Sequence, residues 1–314
     1  MTRLTPRRRF PLRRLTLVAV LVGVTGGTFA ISTDAFGAGY LFERALDRID
    51  RFIAGPVPDR PTEQTVLVTS PPVTPAPTAS ATPKPPPSGS VPTATPIATP
   101  TPSPTPARVP VDVDIVGDHD AVFAHELKDT WCAPAGVQMT LAVLGLADTS
   151  DAFQGELQSR VREWESYGDS HNGKWGPSAM LLALEAYGAT GYEVRGYETR
   201  QDALRDAAVA IDTTGSPVIL LAWRGAHTWV MTGYRADADP RQFPDATVEG
   251  AYVLDPWYPW VSSIWGPSDP PGTFQDAAQM ERNYLRWKRP EGLYPDRDGL
   301  FISVVPTVAV SPAG

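Results

Sequence analysis

Fifteen of the chain's 34 prolines fall within residues 71–110, together with eight threonines and four serines. Each proline fixes φ and removes a backbone donor, so neither helix nor sheet propagates through such a stretch. A segment of this kind extends as polyproline II or stays disordered, and it cannot contribute to a packed core. The folded part of the 314-residue chain must therefore lie elsewhere. The composition reads as a stalk over residues 56–110. It acts as a spacer, with docking of proline-rich motifs and glycosylation of its threonines as further options.

The first 14 residues hold six arginines and no acid. Setting these six aside leaves 21 basic residues against 35 acidic ones, a net charge of −14 on the remainder. A body this acidic repels phosphate backbones, which argues against nucleic-acid binding. The basic segment 1–14 precedes an uncharged run, Leu15 to Ile31. As a helix that run would span roughly 25 Å of a bilayer core about 30 Å thick, and extending it to Thr33 closes part of the gap. The flank and the run together predict insertion with the N-terminus in the cytoplasm. Residues 15–33 are thus an uncleaved anchor, the preferred reading, or a signal peptide. Arg7-Arg8-Arg9-Phe10 also partly resembles a twin-arginine export signal. Residues 34–55 contain an amphipathic helix, with Leu41, Ala45, Ile49, Phe52 and Ile53 on one side and charges on the other. The rest of the chain would be held outside the membrane, or secreted if the leader is removed.

Residues 111–314 carry the pattern of a single folded domain. Helices are predicted from near Pro134 to Leu144, near 150–165, from Pro177 to Tyr187, and near 200–211. Strands follow at Pro217–Trp223, Thr228–Tyr234 and Tyr252–Leu254, and Phe301–Val305 reads as a closing strand. Helices first and sheet afterwards indicate an α+β fold, not a wound parallel sheet.

Within this domain the order Cys132, His227, Asp255 stands out. Cys132 is the only cysteine, which excludes an internal disulfide and a site built from several thiolates. It opens a predicted helix, where the partial positive charge favours thiolate over thiol and free N–H groups can face an oxyanion. His227 begins a strand after a tight turn, and Asp255 ends the next. Antiparallel pairing of those strands would bring the carboxylate to the imidazole, fixing its tautomer. A nucleophile, a base and an orienting acid placed in this way follow the logic of a thiol hydrolase that needs no cofactor and no metal.

Three local segments extend this reading. Cys132-Ala133-Pro134-Ala135 resembles the Cys-Gly-Pro-Ala of the papain-like bacteriocin-processing (double-glycine) peptidases and their stand-alone bacterial relatives. Gly225-Ala226-His227 with the strand to Gly233-Tyr234, and Val253-Leu254-Asp255-Pro256, resemble that family's Gly-His segment and its Asp-Pro. The spacings of 95 and 28 residues suit the family. The resemblance implies a papain-like α+β fold acting on a peptide or protein substrate, with Cys132 as nucleophile, His227 as general base and Asp255 as orienting carboxylate. Ala133 and Glu126 depart from the pattern. The family carries a glutamine six residues before the cysteine, whose amide helps hold the oxyanion. A carboxylate at Glu126 would repel that charge unless it is protonated, unless His125 or Lys128 substitutes, or unless the alignment slips. Failing these, catalysis is impaired. A catalytically silent binding module therefore stands as one alternative, and a cell-wall amidopeptidase, which uses a similar triad, as the second. The second lacks its Asp-Cys-Ser pattern here.

Trp131, Trp257, Tyr258 and Trp260 cluster in sequence around the candidate cysteine and aspartate. They either wall a substrate cleft or cover a sheet edge. His119, His125 and the Asp237/Asp239 loop carry too few convergent donors for a metal and read as surface loops.

Overall fold

The computed structural model describes residues 65–69, 107–170, 175–288 and 294–310, with isolated positions between 45 and 62. The leader, most of the stalk and His171 lie outside the described residues. No helix among the described residues is long and apolar enough to cross a membrane. The chain divides into two units, Met1–Val57 and Pro58–Gly314. In the first, Ala45, Ile49, Phe52 and Ile53 are helical and exposed. They belong to the apolar stripe expected over residues 34–55.

The second unit is built on one mixed sheet. Its strands are β1 (Val66–Val68), β2 (Val111–Asp114), β3 (Tyr192–Tyr197), β4 (Val218–Leu221), β5 (His227–Ala236), β6 (Val248–Leu254), β9 (Thr273–Asp276) and β10 (Phe301–Pro306). A separate two-stranded ribbon joins β7 (Val261–Ser262) and β8 (Gly266–Pro267). The sheet order is β1-β3-β10-β4-β5-β6-β9, and β2 pairs with the far half of β5 on the edge it shares with β4. Every pairing is antiparallel except β1 with β3.

Five helices cover the sheet: α1 (Cys132–Val143), α2 (Asp151–Ser159), α3 (Pro177–Ala186), α4 (Arg200–Thr214) and α5 (Ala277–Asn283). They start where the sequence supplies local signals. Ser150, Thr199 and Asp276 accept backbone N–H bonds as N-caps of α2, α4 and α5, and Pro177 occupies the first turn of α3. In β4, Val218 and Leu220 pack with α4, while Ile219 and Leu221 pack with α1 and α3. A strand alternates faces with period two, so an unbroken apolar run is the mark of a strand buried on both sides. The helix α1 is apolar on nearly every side because it lies between the sheet and α3.

Two expectations are corrected here. The stalk does not begin at residue 56, since Val66–Val68 pairs in parallel with β3 and Arg60 donates to backbone carbonyls of Arg162 and Glu163. The reason is local: Thr62 to Ser70 contains no proline, and Val66-Leu67-Val68 is a good strand former. Nor does Phe301–Pro306 close the sheet. It lies in the interior between β3 and β4, which explains why all six of its residues are buried. The strands β1, β2, β3 and β9 were not visible as apolar runs, being short or carrying charges on one face.

Candidate active site

Cys132 begins α1, and the close approach of α1 to β5 sets its position. A Cβ on Gly136 would run into the side chain of Thr228, so glycine lets the helix sit directly on the strand that His227 opens. The pairing of Val230 with Leu254 carries Asp255 back alongside His227. The imidazole Nε2 lies 2.7 Å from Asp255 Oδ1, with only 2% of His227 and 7% of Asp255 exposed. Asp255 Oδ1 also accepts from the Trp257 backbone N–H at 2.9 Å, which holds the carboxylate in place. An ionised carboxylate only accepts, so Nε2 carries the hydrogen and Nδ1 keeps its lone pair for the thiol.

Three donors converge at this point. Glu126, Cys132 and His227 bring a carboxylate oxygen, the sulfur and a ring nitrogen within 4.8 Å of one another. A soft divalent cation would accept the same donor set. The thiol itself is directed at the carbonyl of Ala226, 4.0 Å away. Burial, with a smaller push from Glu126 and Asp255, raises its pKa to about 12 against hydrogen bonds from Thr228. The expected preference for thiolate is overturned at this step. A helix end is worth about 1 kcal/mol or less at an ordinary site, whereas burial can shift a pKa by several units. The resting pair is a neutral thiol beside the imidazole.

Glu126 is fully buried, and neither carboxyl oxygen has a hydrogen-bond partner among the described residues. Burial first, then the charges of Asp255 and Asp129, push its pKa from 4.5 to about 9. It is therefore an uncharged acid at neutral pH, with one O–H to donate. Its segment is clamped from both sides. The Glu126 N–H donates to Pro256 O (3.0 Å) and His125 Nδ1 to Tyr258 O (2.8 Å). Gln154 accepts from Leu127 N (2.8 Å) and donates to His125 O (3.0 Å). Gln154 was not anticipated. Its only trace in the sequence is a glutamine one step from the apolar stripe of α2.

The raised pKa has a consequence for stability. In the folded protein this carboxyl keeps a proton that the unfolded chain releases above pH 4.5, so its cost to stability is absent below that value and grows as pH climbs towards 9. Glu126→Gln is expected to remove this alkaline decline. Melting temperatures of both proteins, taken from about pH 5 to pH 9, should diverge in favour of the variant. Parallel curves would mean that Glu126 ionises normally.

The site opens into a cavity of about 510 Å³ lined by Cys132, His227, Trp175, Trp223, Trp257 and Trp287, among others. Of the aromatic residues singled out in the sequence, only Trp257 lines it. Trp131 lies beneath the Lys128 ammonium at 5.3 Å, Tyr258 meets Phe123, and Trp260 stacks edge-on against His125 at 4.3 Å. The turn after Asp255 folds back onto the His125 segment and carries Tyr258 and Trp260 away from the cavity. Trp223 takes the place expected of them, stacking on His227 at 4.0 Å and 18° while its indole N–H donates to Asn283 Oδ1 (3.1 Å). It does so from the left-handed region, φ 51°, as does Arg224 at φ 63°. Two such residues in a row mark a strained turn, Ala222–Gly225. His119 pairs with Asp114 at 2.9 Å and packs over Gly272, a structural role. In the Asp237/Asp239 loop the carboxylates bind Arg108 and Arg241.

No curated protein matches the chain. Residues 112–290, more than half of its length, match the Peptidase_C39 like family. The match runs from β2 past the helix that Cys132 opens, through the strands that bring His227 to Asp255, and beyond α5. With this papain-like α+β architecture, the chain belongs to the Peptidase_C39 like family.

Proposed function

We propose that the protein is a cysteine peptidase, held outside the membrane by its N-terminal segment and hydrolysing peptide bonds through Cys132, His227 and Asp255. The observation that carries this reading is the buried 2.7 Å contact of His227 with Asp255 beside the helix-start thiol, at the mouth of an aromatic cavity. In the reaction, the Cys132 sulfur attacks the substrate carbonyl carbon as its proton passes to His227 Nδ1. The C–N bond breaks, and the amine leaves with that proton. Water then cleaves the thioester, giving its proton through His227 to the departing sulfur and releasing a carboxylic acid. In this reading the amides at the start of α1 and the O–H of neutral Glu126 would hold the developing oxyanion. In this protonated form Glu126 replaces a glutamine amide with another uncharged donor.

Trapping the intermediate tests the proposal. Protein quenched in acid during turnover of a peptide mixture should carry an acyl group on Cys132, visible by mass spectrometry and absent from His227→Ala. Turnover without that adduct would refute the thioester route. The high proton affinity of Cys132 favours a second reading, a silent peptide-binding domain on a stalk. That reading predicts binding with neither turnover nor adduct.

A further inference from the structure

A second cavity, of about 520 Å³, adjoins the first and differs from it in charge. Among the described residues Arg200, Arg224, Arg286 and Lys288 line it, with Asp298 as the one acid. Four cations around one hollow run against a body whose net charge is −14 beyond residue 14. Elsewhere in the domain arginines meet carboxylates: Arg108 meets Asp237 and Asp245, Arg195 meets Asp206, Arg235 meets Asp112, and Arg241 meets Asp212. Here they do not. Arg200 is held by the carbonyls of Tyr284 (2.9 Å) and Glu281 (3.3 Å), and Arg286 by that of Gly299 (2.6 Å). Among the described residues no carboxylate forms an ion pair with Arg200, Arg224 or Arg286.

Carbonyl contacts fix the guanidinium groups in direction without cancelling their charge. Both Arg200 and Arg286 lie over the ring of Phe301, each 5.3 Å from its centroid. Burial first, with a smaller push from Arg286, holds the Arg200 pKa below its ordinary value even against the nearby Glu281 carboxylate. Arg224 reaches the hollow from the strained turn that also stacks Trp223 on His227. The two cavities share Trp287, and the Lys288 N–H donates to the Arg224 carbonyl (3.1 Å), binding the wall between them to that turn.

We infer that this basic hollow is a binding site for an acidic peptide segment, one that runs on from a chain lying in the cysteine cavity. Guanidinium forks match carboxylates two bonds at a time, so arginines fixed in direction around one hollow suit a run of glutamates. The inference rests on the cysteine cavity being a peptide site, and it selects peptides with acidic residues to one side of the bond placed at Cys132.

Fluorescence anisotropy of labelled hexaglutamate and hexaglutamine, titrated with the full chain at neutral pH and low salt, tests this. Hexaglutamate should bind at least about tenfold tighter, and the advantage should shrink as salt rises. The double substitution Arg224→Gln/Arg286→Gln should remove about tenfold of that affinity at an unchanged melting temperature, whereas Cys132→Ala should leave it intact. Equal affinity for the two peptides, or an indifferent double variant, would overturn the inference. So would inorganic phosphate displacing the peptide more effectively than free glutamate does, because the hollow would then be a phosphate site. The readout is binding alone, so an absence of peptide hydrolysis would count against the peptidase reading and not against this result.

Discussion

Cys132→Ala is expected to lower kcat for peptide hydrolysis by about 10⁴-fold or more, with KM and melting temperature close to wild type. The chain has no second thiol to take over. Within the Glu126–Cys132–His227 cluster the sulfur is the one nucleophilic group, and it lies within 4.8 Å of a His227 ring nitrogen. Removing it leaves the cavity, the proposed oxyanion donors and the His227–Asp255 pair in place, so binding should survive while the proposed covalent route is lost. Because the resting thiol is protonated up to about pH 12, iodoacetamide should alkylate Cys132 slowly at neutral pH in the free protein. In the proposed mechanism the sulfur becomes nucleophilic only as His227 withdraws its proton during attack. Retention of more than about a tenth of wild-type turnover in Cys132→Ala would remove the nucleophile from the mechanism.

Arg297→Ala should destabilise the domain by about 3–5 kcal/mol, because it strands a buried charge. Arg297 is 1% exposed and Asp169 is 1% exposed, with Nη2 2.8 Å from Oδ1. The guanidinium also donates to the Asp169 carbonyl (3.1 Å) and lies over Trp287 and Tyr294, both of which line the cysteine cavity. Asp169 in turn accepts from the backbone N–H groups of Ser178 and Ala179 (3.2 and 3.0 Å), capping α3. Loss of the arginine thus loosens a helix start and one wall of the cavity together. For a domain of about 200 residues the expected cost corresponds to a fall of roughly 10 °C in melting temperature. The double variant Asp169→Ala/Arg297→Ala should cost less than the sum of the single ones, since neither charge is then left alone. A loss below about 1 kcal/mol in Arg297→Ala would show that water reaches the pair.

Much of this site was legible without coordinates. Cys132 before Pro134, His227 after a turn and Asp255 before Pro256 each carry a local signature, because helix starts and strand ends are governed by neighbours within a few residues. The four main helices were legible for the same reason. Strand β3 was not, since Tyr192–Tyr197 places Glu193 and Arg195 on its less buried face and breaks the apolar run. Trp223 was hidden too. Its stacking on His227 depends on a left-handed backbone at a residue type that rarely adopts one.

Local pattern alone established an α+β domain behind a proline-rich segment and the chain order of a thiol, an imidazole and a carboxylate. The folded structure decided what those groups are electrically. Glu126 is an uncharged acid because Pro256 and Gln154 hold its segment inside the protein, next to Asp255. Cys132 is a thiol because the same burial outweighs its helix end. Arg297 finds Asp169 across 128 residues, and β10 enters the middle of the sheet instead of closing it. Propensity and periodicity act over a few residues. Desolvation and ion pairing act over a few ångströms, whatever the separation along the chain.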